Sequence, residues 1–386
     1  MLDKTFDIVA TTQSGLEPLL KRELLEEGLF VEDTGVRLVR VIGDLATLYR
    51  INLRSRFALR FLVPVLSFHA KHPDEFYKKI RRFEWSEMME PGETFAIDAV
   101  VNSPVFRNSR FMLYRCKDAI ADHFVNKGLS RPSIDTENPT YRINLHIQDK
   151  KVNVSLDSSG ESLHKRGYRK ESHPAPMNEV LAAAMIDLAE WDVRKPLVDG
   201  MTGSGTIAIE AAMKMTNRAP GLLREKFGFM SWKNFDKDLF QKLKSETEAR
   251  IVKPTATITA VDRDLGYIRM ARDHARLAGV DDLIDFQTGD FLQHTPPTDP
   301  GYLFLNPPYG DRMDGDMDEL YGAIGTRLKH DYPGWKAWII SGNHEAMKKI
   351  GLKPLKKYPL KNGAIDCTYR GYALFEGKRI DRLKNS

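Results

Sequence analysis

Apolar and polar residues follow a repeated helix-then-strand order along the C-terminal half of the chain. Short apolar runs alternate with longer segments that carry an apolar residue on every helical turn. This order predicts a parallel sheet with helices packed against it. The predicted strands are Pro196–Asp199, Thr257–Val261, Ile284–Gln287, Leu303–Leu305 and Lys336–Ile340. The predicted helices are Glu179–Trp191, Thr206–Met215 and Leu265–Ala278.

The N-terminal half shows a mixed α+β pattern, with strands that are spaced less regularly. The alternation of apolar residues predicts strands at Phe6–Ala10, Val36–Val41, Phe61–Phe68, Phe95–Val100, Tyr141–His146 and Val152–Leu156. Helical periodicity and capping residues predict helices at Gly15–Glu27, from Asp44 onward, at Pro73–Ile80 and at Ser109–Asn126. The last two strands are joined by a turn at Asp149-Lys150.

These patterns divide the chain into four parts. Residues 1–60 and 61–156 form two small α+β segments, and residues 178–386 form the parallel-sheet domain. The stretch 157–177 between them is rich in Ser, Gly, His and Pro, which is typical of a linker. A chain of 386 residues is expected to hold two or three domains.

A glycine-rich loop joins a predicted strand to a predicted helix between Asp199 and Thr206. The run from Gly203 to Ala208 satisfies the loose G-x-G-x-x-A dinucleotide fingerprint, which is a weak signal alone. NAD binding would favour an acidic residue about 20 positions later, but the next strand-end acid is Asp262, after a long insertion. A carboxylate directly before the glycines, Asp199, suits the amino group of an amino-acid-like cofactor better than a pyrophosphate.

Two further acids end predicted strands. Asp262 could accept hydrogen bonds from both hydroxyls of a ribose, and Asp290 could accept one from an adenine amino group. Each could instead serve only as a helix cap. Their order along the chain, together with the glycine loop, favours a nucleoside-containing cofactor.

The sequence Asn306-Pro307-Pro308-Tyr309 follows a short apolar strand. The prolines fix φ and remove backbone donors, so the loop presents acceptors. The Asn306 side-chain oxygen and the Pro307 carbonyl suit an exocyclic amine with two N–H donors, and Tyr309 could stack on a planar base. A proline-rich turn after a core strand is the alternative interpretation.

The order of these motifs resembles that of the class I S-adenosylmethionine-dependent methyltransferases that modify exocyclic nitrogens, and more closely the THUMP-domain RNA methyltransferases. The segments that carry this resemblance are His164–Arg169 with Ala175-Pro176, Asp199–Thr206 with Ile209–Ala212, Ala219–Arg224, and Asn306–Arg312. The chain departs from the family pattern at Gly200, Thr202 and Asn178, where Pro, Cys and a basic residue are common.

The resemblance implies an α/β fold: a Rossmann-like seven-stranded methyltransferase domain (178–386), preceded by a ferredoxin-like segment (1–60) and an RNA-binding THUMP domain (61–156). It implies S-adenosyl-L-methionine as the cofactor and transfer of its methyl group to guanine N2 in RNA, most often large-subunit ribosomal RNA. The catalytic residues it implies are Asn306, Pro307 and Tyr309. The cofactor-binding residues it implies are Asp199, Thr202, Gly203, Ser204, Gly205, Thr206, Asp262, Asp290 and Asn306.

Other substrates share the same loop chemistry. Transfer RNA is an alternative substrate, as are adenine N6 in DNA and a glutamine amide in a protein. The chain could also be an RNA-binding module without catalysis. Candidate phosphate contacts are the basic residues Arg54, Arg56, Lys78, Lys79, Arg81, Arg82, Arg107, Arg110, Arg115 and Lys117. Such charges are also typical of a solvated face.

Composition and charge narrow these choices only slightly. Lys and Arg number 58 against 53 Asp and Glu, and a net charge of +5 permits a polyanionic partner without requiring one. Cys116 and Cys367 lie far apart and form no metal-spacing motif, so we expect a reducing compartment and no metal. Without an apolar signal core or a membrane-length apolar run, we expect a cytoplasmic protein with no membrane contact. The sequence carries no signal for the oligomeric state.

Overall fold

The computed structural model describes residues 4–169, 177–308 and 317–375. The chain divides into two compact units, each built from more than one segment. Unit 1 comprises Met1–Thr12, Glu17–Leu163 and Arg224–Glu246. Unit 2 comprises Gln13–Leu16, His164–Leu223 and Thr247–Ser386.

Unit 1 is organised around an eight-stranded sheet with the order β2-β3-β1-β4-β8-β7-β5-β6. Strand β5 is parallel to β6 and β7, and the other pairs are antiparallel. The strands are β1 (Phe6–Thr11), β2 (Val31–Gly35), β3 (Leu38–Gly43), β4 (Arg60–His69), β5 (Thr94–Asn102), β6 (Ser133–Ile134), β7 (Tyr141–Gln148) and β8 (Lys151–Asp157).

Two helices of unit 1, α2 (Leu45–Arg54) and α3 (Pro73–Arg82), begin at side-chain caps. The Asp44 carboxylate accepts a hydrogen bond from Thr47 N at 2.8 Å, and His72 Nδ1 accepts one from Glu75 N at 3.3 Å. The helices are α1 (Glu17–Glu26), α2 (Leu45–Arg54), α3 (Pro73–Arg82), α4 (Trp85–Met88) and α5 (Ser109–Asn126). The predicted bounds of α5 are confirmed.

The segment Arg224–Glu246 packs into unit 1 through aromatic side chains. The ring of Phe229, which is fully buried, lies 4.4 Å from the ring of Tyr49 on α2 and 5.2 Å from that of Phe227. Phe235 and Phe240 complete this cluster, and the Tyr49 hydroxyl accepts a hydrogen bond from Asp236 N at 3.0 Å. The segment therefore contributes a large part of its apolar surface to the core of unit 1. Helix α8 (Lys237–Glu248) starts within it.

Unit 2 contains a seven-stranded sheet with the order β11-β10-β9-β12-β13-β15-β14. The first five of these strands are parallel, and β15 is antiparallel to both of its neighbours. The strands are β9 (Leu197–Asp199), β10 (Ile258–Asp262), β11 (Ile284–Thr288), β12 (Tyr302–Leu305), β13 (Lys336–Ser341), β14 (Lys356–Asn362) and β15 (Ile365–Ala373). The predicted Rossmann-like, seven-stranded class is confirmed.

Helices cover this sheet and leave its central strands fully buried. The helices are α6 (Glu179–Leu188), α7 (Thr206–Met215), α9 (Leu265–Ala278), α10 (Met317–Asp331) and α11 (Ala346–Lys349). Leu303 and Leu305 of β12 belong to an apolar cluster with Ile324 and Leu328 of α10. All four residues of β12 are buried, which explains why this strand reads as an uninterrupted apolar run.

Several predicted boundaries differ from the structure, and two of them are wrong because the backbone turns at residues that the apolar pattern does not mark. The helix predicted to reach Trp191 ends at Leu188, since Glu190 has a left-handed φ of 52°. The strand predicted from Val36 begins at Leu38, since Arg37 has a φ of 62° in the turn after β2. The predicted turn at Asp149, with a φ of 54°, is confirmed.

No described helix is both long and apolar enough to cross a membrane.

We expect Phe229→Ala to destabilise the protein by about 3–5 kcal/mol, because it removes a buried ring from the aromatic cluster. The matched control is Phe30→Ala, in the same unit, whose side chain is 72% exposed; it should change stability by about 0.5 kcal/mol or less. Urea denaturation followed by circular dichroism measures both. Equal effects of the two substitutions would contradict the assignment of Phe229 to a core.

Candidate active site

Four of the predicted site residues lie at the carboxyl ends of adjacent parallel strands. Asp199 ends β9, Asp262 ends β10, Asp290 follows β11 and Asn306 follows β12. The chain fills β9, β10 and β11 in one direction and then crosses to β12 on the other side of β9. Open α/β sheets bind their ligands at such a switch point, outside the carboxyl ends of the strands.

The glycine loop needs its glycines for two different reasons. Gly203 and Gly205 have φ values of 51° and 84°, which favour glycine over other residues. A Cβ on Gly205 would lie 2.8 Å from that of Ala271, so this glycine permits close packing of α7 against α9. A Cβ on Gly203 would meet no atom of the described residues within 4 Å, which leaves room there for a ligand.

Asp199 is a fully buried carboxylate with one oxygen satisfied and one not. Its Oδ2 accepts hydrogen bonds from Thr202 Oγ1 at 2.6 Å and from Ala208 N at 3.3 Å. Its Oδ1 is buried without a hydrogen-bond partner among the described residues. Burial, together with a smaller contribution from the nearby carboxylate of Asp262, raises the pKa of Asp199 to about 7. Such a group favours a cationic donor opposite its free oxygen.

Asp262 braces the glycine loop from the neighbouring strand. Its Oδ2 accepts a hydrogen bond from Gly203 N at 2.9 Å, and its Oδ1 accepts one from Asp264 N at 3.0 Å. The loop is also tied to β10 by the bond from Thr202 N to Val261 O at 2.9 Å. Each carboxylate oxygen keeps further lone pairs, so the side chain can hold the loop and still accept from a ligand.

Asp290 caps the short 3-10 helix Phe291–Gln293, and its Oδ1 accepts a hydrogen bond from Leu292 N at 2.9 Å. The side chain is exposed. Gly289, just before it, donates through its backbone N to Asp262 O at 2.9 Å, which keeps the ends of β10 and β11 together. The capping role and the predicted ligand role are compatible, because a carboxylate has about four acceptor sites.

Asn306 presents a buried acceptor next to the glycine loop. Its Oδ1 is buried and has no hydrogen-bond partner among the described residues. Two residues earlier, Phe304 O accepts a hydrogen bond from Gly200 N at 3.0 Å, so the Asn306 loop starts beside the residue that follows Asp199. Pro307 is buried and Pro308 half-buried. Tyr309 lies outside the described residues.

Three residues that the sequence does not single out support these loops. The Tyr321 hydroxyl lies 3.5 Å from Pro308 O and 2.7 Å from Ser341 Oγ, so α10 and β13 brace the proline loop. His274 Nδ1 lies 3.1 Å from Ser204 O. The residues around each of these three give no indication of this role in the sequence, because each lies on an element well separated in sequence from the loop that it supports.

The strand order, the glycine loop at the end of β9 and the acid at the end of β10 together define a Rossmann-like methyltransferase domain. The chain belongs to the RMKL-like methyltransferase family, whose methyltransferase domain matches residues 166–371. The THUMP domain matches residues 70–157, and the RlmL ferredoxin-like domain matches residues 7–62. The family resemblance carried by the sequence motifs is confirmed.

Individual relatives are similar over nearly the whole of this chain. It is 40% identical to the ribosomal RNA large subunit methyltransferase K/L of Syntrophotalea carbinolica, over 97% of this chain and 54% of that protein. The chain thus spans about half the length of this curated relative.

Solved structures give the same fold. SMU.472, named as a methyltransferase candidate complexed with SAH, is 29% identical with a TM-score of 0.86, covering 98% of this chain and 100% of its own. A Listeria monocytogenes protein, named as a predicted N6-adenine-specific DNA methylase, is 28% identical with a TM-score of 0.86, covering 96% of each chain.

We expect Asp199→Asn to stabilise the ligand-free protein, and to do so more at pH 8 than at pH 5. The folded pKa of about 7 lies above the unfolded value near 3.8, so the native protein loses stability as the pH rises from about 4 to about 7. Over two pH units within that window, the difference in free energy of unfolding between Asp199→Asn and the native protein should grow by about 2–3 kcal/mol. Asparagine keeps an acceptor for Thr202 and removes the titration.

Urea denaturation at the two pH values measures this difference, with the exposed Asp282→Asn as the control. A constant gap between the native protein and Asp199→Asn would show that Asp199 is ionised throughout this range.

Proposed function

We propose that this chain transfers a methyl group from S-adenosylmethionine to the exocyclic N2 amine of a guanine in RNA, with large-subunit ribosomal RNA as the substrate. The observation that carries the proposal is a pair of buried acceptors on neighbouring strands, Asn306 Oδ1 after β12 and Asp199 Oδ1 at the end of β9. Neither has a hydrogen-bond partner within the described ranges. The two acceptors suit the two partners of the reaction, an amine to be methylated and a cofactor with an ammonium group. The name of the Syntrophotalea relative supports the choice of RNA.

The residues around the glycine loop fit the cofactor. The free oxygen of Asp199 would accept from the ammonium of the methionine moiety, which would offset the cost of ionising a buried carboxylate. Gly203 leaves room for close approach, with Thr202, Ser204, Gly205 and Thr206 completing the loop. Asp262 would accept from the ribose hydroxyls, and Asp290 from the adenine amino group. The bound cofactor supplies a methyl group already activated on a sulfonium.

The proline loop fits the target base. Asn306 Oδ1 and the Pro307 carbonyl would accept from the two N–H groups of the amine and so fix the direction of its lone pair. Tyr309 would stack on the base after it leaves its helix. An amine conjugated with a purine ring is a weak nucleophile. Acceptors that bind its protons more strongly as positive charge develops lower the barrier, so alignment and electrostatics carry the catalysis.

One face of α5 in unit 1 fits single-stranded RNA. Phe111 and Tyr114 are 49% and 46% exposed, and one helical turn separates them. The Arg110 guanidinium lies 5.8 Å from the centre of the Tyr114 ring, and Arg107 is exposed in the segment just before the Asn108 cap of this helix. Neither arginine forms an ion pair with a described carboxylate. Aromatic faces beside cations that lack carboxylate partners suit stacked bases and their phosphates.

Other basic residues on the list of candidate phosphate contacts suit this role less well. Arg54 contacts the Glu27 carboxylate at 3.1 Å, and Arg50, one turn earlier on α2, contacts the same carboxylate at 3.3 Å. Lys79 contacts Glu75 at 2.7 Å. A cation already neutralised by a carboxylate gains less from a phosphate. We therefore assign RNA capture to the α5 face, within a THUMP domain placed at 61–156, between a ferredoxin-like segment (1–60) and a short linker (157–177) to the catalytic domain (178–386).

DNA adenine N6 is the second candidate target, favoured by the name of the Listeria relative. Labelled methyl transfer to stripped ribosomal RNA, transfer RNA, duplex DNA and release-factor protein distinguishes the substrates. Nucleoside mass spectrometry then identifies the product. N2-methylguanine in ribosomal RNA supports the proposal. N6-methyladenine in DNA, or transfer to protein, would overturn it.

We expect Asn306→Ala to lower the single-turnover rate by about 10²–10³-fold, by analogy with the loss of one positioned donor in an oxyanion hole. Cofactor affinity should change little, because the cofactor contacts assigned above lie mainly on other loops. Tyr309→Phe is the matched control and should keep most activity, since stacking uses the ring and not the hydroxyl. Transfer by Asn306→Ala at the native rate would remove this residue from the chemistry.

We expect Arg110→Ala to weaken RNA binding and to lower the slope of log K against log salt by about one, because it removes one phosphate contact. Tyr114→Ala should cost about 1–3 kcal/mol of base stacking and leave the slope unchanged. Lys242→Ala, an exposed cation elsewhere in unit 1, is the control. Fluorescence anisotropy with a labelled RNA at several salt concentrations measures all three. Equal losses for Lys242 and Arg110 would point to a diffuse electrostatic effect.

A further inference from the structure

Two arginines at the start of the matched methyltransferase domain, one buried and one half-buried, pair with carboxylates within unit 2. Arg166 is 1% exposed, and its Nε lies 3.4 Å from Glu210 Oε1 on α7. The Tyr168 hydroxyl also lies 3.4 Å from that oxygen. Arg169 belongs to the same segment but contacts other groups, which lie beside the glycine loop.

The Arg169 guanidinium joins three points of unit 2. Its Nη1 lies 2.9 Å from Glu179 Oε1, in the first turn of α6. Its Nη2 donates to Met177 O at 2.9 Å and also to Thr206 Oγ1. The side chain is only 15% exposed, so these contacts are largely shielded from water. The planar fork of an arginine can reach several acceptors at fixed angles, which a lysine cannot.

The contact with Thr206 acts on the cofactor loop itself. Thr206 is the first residue of α7 and directly follows the N-cap residue Gly205, which has no side chain that could cap the helix. Thr206 Oγ1 also lies 3.4 Å from Ser204 Oγ. The loop is therefore held on one side by Asp262, through Gly203 N, and on the other by Arg169, through Thr206.

The charge of Arg169 is placed where a helix alone would disfavour it. The first turn of α7 carries the positive end of the helix dipole, which repels a cation. The buried Glu179 carboxylate offsets this repulsion, because it pairs with the guanidinium. It also stands in the first turn of α6, where the helix dipole favours a negative charge. The ion pair with Glu179 thus stabilises the Arg169 guanidinium as the donor to Thr206, at a position where the dipole of α7 alone would disfavour a cation.

We propose that Arg169 is a positioning residue for the cofactor loop. Through Thr206 and the Met177 carbonyl, it fixes the first turn of α7 and the approach to α6, so that the loop amides are ordered before S-adenosylmethionine binds. The inference rests on the proposed function, because it assigns this loop to the cofactor.

A second ion pair links the same two helices at their other ends and provides a matched control. Lys214 Nζ lies 2.6 Å from Asp187 Oδ1, near the C-termini of α7 and α6. Its removal loosens the helix pair without touching Thr206 or Met177. If Arg169 only joined the two helices, losing either pair would affect cofactor binding alike.

The main variant is Arg169→Lys, which keeps the charge beside Glu179 and removes the fork. We expect its dissociation constant for S-adenosylmethionine, measured by calorimetry, to rise about tenfold, the scale of one lost hydrogen bond to a charged group. The rate at saturating cofactor should stay within about threefold of native, because the reacting groups are not touched. Lys214→Met should bind cofactor within about twofold of native.

Thr206→Val provides an independent test of the route. Because Thr206 is itself part of the cofactor loop, this change should weaken cofactor binding at least as much as Arg169→Lys does. The double variant should bind no more weakly than Thr206→Val alone, because both changes remove one shared contact. Three outcomes would each overturn the inference. The losses of S-adenosylmethionine affinity could be additive in the double variant, Arg169→Lys could bind with native affinity, or Lys214→Met could lose as much affinity as Arg169→Lys. If the native chain itself does not bind S-adenosylmethionine, the proposed function fails instead, and the two failures are thereby distinguished.

Discussion

The parallel pairing of β9 with β10 on one side and β12 on the other is the constraint on which the candidate site depends. Val198 lies opposite both Thr259 and Leu303, and Asp199 lies opposite both Ala260 and Phe304. A shift of one residue in either pairing would turn each strand's side chains to the other face of the sheet. The apolar cluster under β12 opposes such a shift, so burial fixes where the polar strand ends meet.

The site is built at a cost in stability that its ligands can offset. Asp199 Oδ1 and Asn306 Oδ1 are both buried without partners among the described residues, although buried polar atoms in proteins are usually bonded. Other hydrogen bonds fix their surroundings: Thr202 and Ala208 donate to Asp199, and the Tyr321 hydroxyl donates to Pro308 O, two residues after Asn306. Acceptors that are rigid and unpaired before binding need little rearrangement when a donor arrives.

The sequence predicts the central strands and the ends of several helices because local chemistry decides them. The apolar run of β12, the glycines of the loop and the cap at Asp44 each act within a few residues. Other features depend on groups far apart in the chain. Nothing near Tyr321 or Arg169 indicates that one contacts a proline loop and the other a helix start. The exposed polar strand β2 and the hairpin β14–β15 also lack the apolar runs that mark the central strands.

The aromatic cluster around Phe229 has a consequence for how such chains can change over evolutionary time. The family's methyltransferase domain spans residues 166–371, yet Arg224–Glu246 within that span completes the core of the other unit. A recombination event that exchanged only the N-terminal residues would leave Phe227, Phe229 and Phe240 facing a surface not shaped for them. We therefore expect the two units to evolve together, because residues within the sequence span of the methyltransferase domain form part of the core of unit 1.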